Sequence, residues 1–286
     1  MALPVPALRY AGFLLATLPA LAEAPSRPAR FGVLEAGLDA APPGLGLELG
    51  VYRGASLRHA ARRQPARRFH GFDSLTGFPE DGRPDWQHDF RVRAAPALPA
   101  NARLHVGYFE ATLPPFLARL DQPIGFVNLD CDIHSSARFA LLALAPHLRA
   151  GCVLHLDEAV NYDTWLWNEM LALFALLEAT GLGIAWIARA GRIRGLSDTL
   201  GMLEAARYPN WADDVAAGFG RGAVGVLTAQ PAALDLVGAV GLVPRLLART
   251  AAHEGGTQYR LDCHPLAADL PPPPRGTAWQ RWLHRR

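Results

Sequence analysis

The chain has 286 residues, half of them hydrophobic, and a formal net charge of only +2. This length and composition predict one large domain with a buried core, or one domain plus a modest extension. All 28 basic residues are Arg, and the absence of Lys excludes a Walker-type phosphate loop, Schiff-base chemistry and a Lys general base.

The first 43 residues predict an N-terminal helical segment. Within it, residues 10–24 form an apolar run that ends in Ala-x-Ala, a pattern also typical of a signal peptide. Only Arg9 precedes the run, and three prolines surround or interrupt it, so a helix that docks on the main domain is favoured. No continuous apolar stretch reaches the roughly 18 residues that span a bilayer, so no membrane partner is expected.

From residue 44 to residue 230, strand-length apolar runs alternate with helix-length segments. We predict strands at 45–49, 68–73, 103–106, 124–130, 153–157, 184–188 and 223–227, and helices at 55–63, 111–120, 135–148 and 166–180. This alternation predicts an α/β fold with a doubly wound, mostly parallel, Rossmann-like sheet. Residues 190–220, rich in Gly and Arg, suggest an insertion or lid, and residues 231–286 form a C-terminal extension that includes Pro271–Pro274.

The junction between the first strand and the first helix of this domain has the features of a cofactor loop. Gly50 and Gly54 leave the backbone open to a ligand, and Ser56 stands in the first helical turn, whose free N–H groups suit a carboxylate. Glu48 ends the first strand and Asp73 ends the second, where a carboxylate accepts hydrogen bonds from a ribose diol. The pattern therefore predicts a ligand that contains adenosine. Because no GxGxxG triplet is present and no Lys is available, a dehydrogenase is disfavoured.

Further acidic residues end the later strands. Asp130 follows the fourth strand, and Asp157 and Glu158 follow the fifth, so their carboxylates are expected to converge at one edge of the sheet and to bind a divalent metal. His134 lies just after the fourth strand and is a candidate general base, whereas His155 lies inside an apolar strand and is expected to be a core residue.

Other features restrict the partners and the compartment. Cys131, Cys152 and Cys263 form neither a CxxC pair nor a disulfide framework, which predicts a reducing, cytoplasmic compartment. No GxSxG elbow indicates a hydrolase, and no basic, aromatic motif indicates nucleic-acid binding. A homo-oligomer is left open.

Five blocks in order resemble a known family: LELGVYRGAS, HGFDSLTGFPED, VGYFEATLP, NLDCDIHSSA and VLHLDEA. Together, over about residues 44–190, they resemble the macrocin-type O-methyltransferases, class I S-adenosylmethionine-dependent enzymes that methylate sugar hydroxyls and use magnesium. The resemblance implies an S-adenosylmethionine cofactor and an acceptor that is a hydroxylated small molecule. It implies that Glu48 and Gly50 form the methionine-side loop, that Asp73 and Ser74 lie at the ribose, and that Gly107, Tyr108 and Phe109 lie near the adenine. With Gly54 and Ser56, which the loop pattern itself predicts, the expected cofactor residues number nine.

The resemblance also implies that Asp130, Asp157 and Glu158 face Mg²⁺, which makes Asp130 and His134 the candidate catalytic residues. The chain departs from the family where Cys131 and His134 replace a glycine and an aromatic residue, and where Glu158 replaces an aspartate. Two other interpretations therefore stay open: a metal-independent methyltransferase with a His base, and a non-catalytic binding protein that retains the fold.

Overall fold

A computed structural model of the protein describes residues 5–79 and 90–252. The described helices are α1 (Val5–Glu23), α2 (Gly32–Ala40), α3 (Ala55–Arg63), α4 (Phe109–Leu117), α5 (His134–Leu144), α6 (Glu169–Thr180), α7 (Leu196–Glu204), α8 (Trp211–Ala216), α9 (Leu236–Ala239) and α10 (Val243–Ala252). The described strands are β1 (Leu45–Leu49), β2 (Phe69–Asp73), β3 (Ala102–Val106), β4 (Ile124–Leu129), β5 (Val153–Leu156), β6 (Gly183–Arg189) and β7 (Ala223–Thr228). Most of the C-terminal extension, including Pro271–Pro274 and Cys263, lies outside the described residues.

The seven strands form one sheet in the order β3-β2-β1-β4-β5-β7-β6. The first five pair in parallel, and β7 inserts antiparallel between β5 and β6. The prediction of a doubly wound, mostly parallel sheet is confirmed. Every residue of β1, β4 and β5 is buried, as expected for central strands that helices cover on both faces.

The predicted helix at 166–180 begins later than its pattern suggests. Residues Trp165–Trp167 form a 3₁₀ turn, and the α-helix starts only at Glu169. Trp165 and Trp167 are both 1% exposed, so their rings fill the core beside the sheet. The apolar periodicity of this segment therefore marks side chains that are buried in the core. These side chains lie first on a 3₁₀ turn and then on an α-helix.

The first helix is an integral part of the domain. Tyr10 and Phe13 pack their rings against Phe174 of α6, and the Tyr10 hydroxyl donates to the Leu166 carbonyl at 2.5 Å. The indole N–H of Trp186 on β6 donates to the Thr17 hydroxyl at 2.9 Å. Among the described helices, this is the one that is long and apolar enough to cross a bilayer, but half of its most apolar window is buried inside the protein. Buried core helices meet the same test, so length and composition alone indicate little here.

The segment expected to be an insertion or lid connects β6 to β7. It contains α7 and α8, and its two ends return to the carboxyl end of the sheet. The Asn161 side chain joins these ends, because its amide N–H groups donate to the carbonyls of Arg192 (2.7 Å) and Gly220 (2.6 Å). The segment thus forms a wall next to the ends of the central strands.

Candidate functional site

The loop after β1 is fixed by the carboxylate that ends β2. Asp73 accepts hydrogen bonds from the backbone N–H groups of Val51 (2.8 Å), Tyr52 (2.7 Å) and Leu75 (2.6 Å). A carboxylate offers about four lone-pair positions, so three bonds leave acceptor capacity for a ribose hydroxyl. Asp73 therefore holds the loop and still faces a ligand.

A cavity of about 270 Å³ opens between this loop and the carboxyl ends of the strands. We call it the cofactor cavity. Its walls are Gly50, Val51, Tyr52, Asp73, Ser74, Gly77, Phe78, Pro79, Phe90, Tyr108, Phe109, Glu110, Asp130, Cys131, Asp132, Ser136 and Asp157. A cavity outside the carboxyl ends of parallel strands, where the strand order reverses, is the usual ligand site of such folds.

Five of the nine predicted cofactor residues line this cavity: Gly50, Asp73, Ser74, Tyr108 and Phe109. The remaining four, Glu48, Gly54, Ser56 and Gly107, do not line it. Residues from both the loop motif and the motif expected near the adenine thus line one cavity. The four that do not line it belong to the same motifs but lie outside the cavity lining.

The backbone of the cavity wall is strained at several points. In the described chain, six residues other than Gly have positive φ, and three of them, Tyr52, Phe90 and Asp132, line the cofactor cavity. Such conformations persist only where the surrounding structure enforces them, and they concentrate at ligand sites. The strain supports the assignment of this cavity as the functional site.

Sequence reasoning predicted Tyr108 and Phe109 at the cavity but missed its other aromatic residues. The Phe90 ring lies 5.4 Å from the rings of both Tyr52 and Phe78, and all three line the cavity with Tyr108. Flat apolar rings suit the faces of an adenine base. The Gly-Phe-Pro sequence at 77–79 was a usable signal, since it lies in one of the recognised blocks. The last two residues of that block, 80 and 81, lie outside the described residues.

Behind the cavity, four polar side chains form a buried chain of hydrogen bonds. The Ser56 hydroxyl donates to Glu48 Oε1 at 2.8 Å, and Asn128 Nδ2 donates to Glu48 Oε2 at 3.1 Å. Asn128 Oδ1 in turn lies 2.5 Å from His155 Nδ1, so that ring nitrogen donates. The expectation that His155 is a core residue agrees with its 5% exposure. Asn128 carried no prediction, because an amide inside an apolar strand gives no periodic signal.

Burial raises the pKa of Glu48 to about 7 from its ordinary 4.5, although Asn128 and Ser56 donate to its carboxylate. Between those two pH values the folded protein binds more protons than the unfolded chain, so this group's contribution to stability is lost as pH rises. Glu48→Gln removes the titration. We expect its free energy of unfolding, relative to wild type, to rise by up to about 3 kcal/mol from pH 4.5 to 8.

Urea denaturation of the cofactor-free protein at both pH values measures this difference. Glu23→Gln, which removes an exposed carboxylate at the end of α1, is the control and should leave the difference independent of pH. A Glu48→Gln difference that is also constant with pH would show that Glu48 ionises normally.

Two of the predicted acidic residues meet at the cofactor cavity. Asp130 and Asp157 both line it, together with Asp132. Burial raises the pKa of Asp157, while the positive charge of Arg221 opposes that shift. Burial, followed by the negative charges of Asp157 and Asp132, raises the pKa of Asp130 well above its usual range. Asp157 is therefore the more readily ionised of the two.

The third predicted metal ligand lies elsewhere. Glu158 accepts a hydrogen bond from Arg221 Nη1 at 2.8 Å, and its carboxylate faces a different cavity. Its backbone N–H donates to buried Glu169 at 2.9 Å. Within residues 5–79 and 90–252, no three His, Cys, Asp or Glu side chains are arranged to hold a metal ion. The predicted Asp130, Asp157 and Glu158 set thus does not fit magnesium as one site.

His134 is inside the protein and not at the cavity. It is 2% exposed, and its Nδ1 lies 3.0 Å from the Asn168 carbonyl, to which it donates. Burial lowers its pKa to about 3. The cavity wall does not include it, so the geometry speaks against the predicted role of general base. The reason is that His134 begins α5 and points into the α5–α6 contact.

Comparison with known proteins agrees with this geometry. The family model described as "Methyltransferase domain" matches residues 47–159, from the middle of β1 to just beyond β5. No curated protein sequence matches the chain.

Several solved structures resemble the fold. The calicheamicin methyltransferase CalS11 is 24% identical, with 53% of this chain and 70% of that chain covered and a TM-score of 0.43. Cofactor-bound Rv0187 from MTB is 21% identical, with 76% and 90% covered and a TM-score of 0.41. The O-methyltransferase NovP is 18% identical, with 77% and 98% covered and a TM-score of 0.38.

Residues 47–159 match a methyltransferase domain, and the seven-stranded sheet has the Rossmann-like fold of class I methyltransferases. The chain is an enzyme, and all the residues that line the cofactor cavity lie within the matched range.

Proposed function

We propose that the enzyme transfers the methyl group of S-adenosylmethionine to a hydroxyl of a small molecule. One observation carries this proposal: Asp157 lines the cofactor cavity and also two adjoining cavities, of about 630 Å³ and 300 Å³. A carboxylate at such a junction can contact an acceptor whose other end lies outside the cofactor cavity. The resemblance to sugar O-methyltransferases supports the hydroxyl as the acceptor group.

The transfer is a displacement in which positioning and one proton transfer are the protein's tasks. The acceptor oxygen attacks the methyl carbon, the bond from that carbon to sulfur breaks, and S-adenosylhomocysteine leaves with the electron pair. The hydroxyl proton passes to the Asp157 carboxylate. Because the surrounding protein raises the pKa of Asp157, it is a stronger base than an aspartate with an ordinary pKa.

Asp130 has a different part in this proposal. Its pKa is raised well above the ordinary range, so it is the neutral partner of the pair and keeps a second negative charge away from Asp157. It then provides a hydroxyl donor beside the reacting atoms. Asp130 is thus a candidate catalytic residue for a reason other than metal binding.

Magnesium dependence is implied by the family resemblance alone, and the described carboxylates do not form a complete metal site. Exhaustive chelation decides this point. Loss of activity that magnesium restores would support the resemblance, with Asp130 and Asp157 as ligands. Full activity after chelation would support Asp157 as a base without a metal.

Cofactor binding is the first test of the proposal. Titration calorimetry should detect S-adenosylmethionine binding to the wild type. Asp73→Ala should raise the dissociation constant at least tenfold, since it removes a ribose acceptor and releases the N–H groups of Val51 and Tyr52. Asp121→Ala, an exposed carboxylate paired with Arg68, is the matched control and should leave binding unchanged. A wild type without measurable affinity for the cofactor would overturn the proposal.

A further inference from the structure

A second, larger cavity of about 630 Å³ adjoins the cofactor cavity at Asp157. We call it the acceptor cavity. Its walls come from residues 26–28, 157–161, 189–192 and the stretch from Trp211 to Gly222. This volume is within the usual range for small-molecule sites. The segment between β6 and β7 supplies most of the wall, so the shape and the charge of the acceptor cavity depend on the sequence of that segment.

Two arginine side chains of the acceptor cavity have no acidic partner within the described residues. Glu158 is paired with Arg221, and Asp214 is paired with buried Arg194. Arg189 and Arg192 also line the cavity, and in the described chain neither forms an ion pair with a carboxylate. Arg189 donates to the carbonyls of Ala22 and Gly191, and Arg192 donates to the carbonyl of Ala217. Their remaining N–H groups have no protein acceptor in the described chain.

The two arginines are held in place and do not move freely on the surface. The Arg192 guanidinium lies 4.6 Å from the centroid of the Phe219 ring. The Asn161 amide donates to the Arg192 carbonyl, and the bonds of Arg189 tie it to the end of α1. A fixed guanidinium fork binds a carboxylate or phosphate at a lower entropic cost than a mobile side chain.

Two other residues of the wall are large and apolar. Trp211 and Val215 of α8 are 60% and 50% exposed, although both are large apolar side chains. An exposed Trp beside a cavity offers a flat surface on which a ring can stack. The acceptor cavity thus combines a ring surface, a cationic fork and a carboxylate base.

From this arrangement we propose that the acceptor is a hydroxylated ring compound that carries an anionic group. The anion binds between Arg189 and Arg192, the ring lies against Trp211, and the hydroxyl reaches Asp157. This inference rests on the proposed function, because Asp157 acts there as the base. It adds the charge of the substrate, which neither the fold nor the motifs specify.

A matched pair of probes tests the charge requirement. We would titrate 3,4-dihydroxybenzoate and its methyl ester into full-length protein saturated with S-adenosylhomocysteine. The acid should bind at least tenfold more tightly than the ester, and added salt should weaken only the acid. Arg192→Gln and Arg189→Gln should each reduce the affinity for the acid about tenfold and leave the affinity for the ester unchanged.

Arg119→Gln, an exposed arginine remote from the acceptor cavity, is the control and should change neither affinity. Thermal unfolding of each variant shows whether it folds, and the acid-to-ester comparison in the wild type needs no variant. Equal affinities for acid and ester, or no binding of the acid to protein that binds S-adenosylhomocysteine, would overturn this inference alone. Failure to bind S-adenosylhomocysteine would instead overturn the proposed function.

Discussion

Gly50→Ala is expected to abolish cofactor binding and to destabilise the domain. Gly50 has φ +92°, and a methyl group there would lie 1.7 Å from the Asp130 carbonyl oxygen. Backbone strain and this overlap together should lower the free energy of unfolding by about 2–5 kcal/mol. The overlap also forces apart β1 and β4, the strands whose ends form the cofactor cavity, so the affinity for S-adenosylmethionine should fall beyond detection.

Gly151→Ala separates the effect of backbone strain from the effect of steric overlap. Gly151 has φ +93°, but an added methyl group has nothing within 4 Å. Its cost is thus backbone strain alone, on the order of 1–3 kcal/mol, and cofactor affinity should not change. Chemical denaturation and calorimetry on both variants test the comparison. Equal destabilisation, with cofactor binding retained in Gly50→Ala, would show that the loop tolerates a side chain.

Asp157→Asn has the largest expected effect on catalysis. The amide keeps the size of the side chain but cannot accept the hydroxyl proton, so kcat should fall by about 10²–10⁴. Affinity for S-adenosylmethionine should change by less than about threefold, since Asp73 and the loop remain intact. Single-turnover methyl transfer with an accepted substrate, together with calorimetry, separates the two quantities.

The pH profile provides an independent test of the same residue. A base acts in its deprotonated form, so the wild-type rate should rise with pH as Asp157 loses its proton. Because burial raises the pKa of Asp157, this rise should lie above the ordinary range of an aspartate. Asp157→Asn should lose this rise, whereas Asp163→Asn, an exposed neighbour in the sequence, should keep both rate and profile. A full rate in Asp157→Asn would assign the proton transfer to another group.

Local patterns predicted most of the central sheet. The strand at 45–49 and the helix at 55–63 have the bounds that the sequence predicts, and the six other described strands differ by one or two residues. Apolar runs of strand length and amphipathic runs of helix length are local properties, so a single sequence contains them. No local sequence pattern predicts the position of β7 between β5 and β6, because that position depends on which strand edge is still unpaired when the sheet forms.

Some features of the candidate site are likewise predictable from the sequence, and others depend on the tertiary structure. The sequence by itself determined the Gly50 turn, the Asp73 carboxylate and the acidic ends of β4 and β5, because the carboxyl ends of parallel strands meet at one edge. Only the tertiary structure decided how those charges are used. It paired Glu158 with Arg221, buried His134 beneath α6 and, among residues 5–79 and 90–252, left Arg189 and Arg192 without acidic partners. Residue type and spacing reveal which charges are present. The partners of His134 and Glu158, however, lie 34 and 63 residues away in the chain, and only the folded structure brings them together.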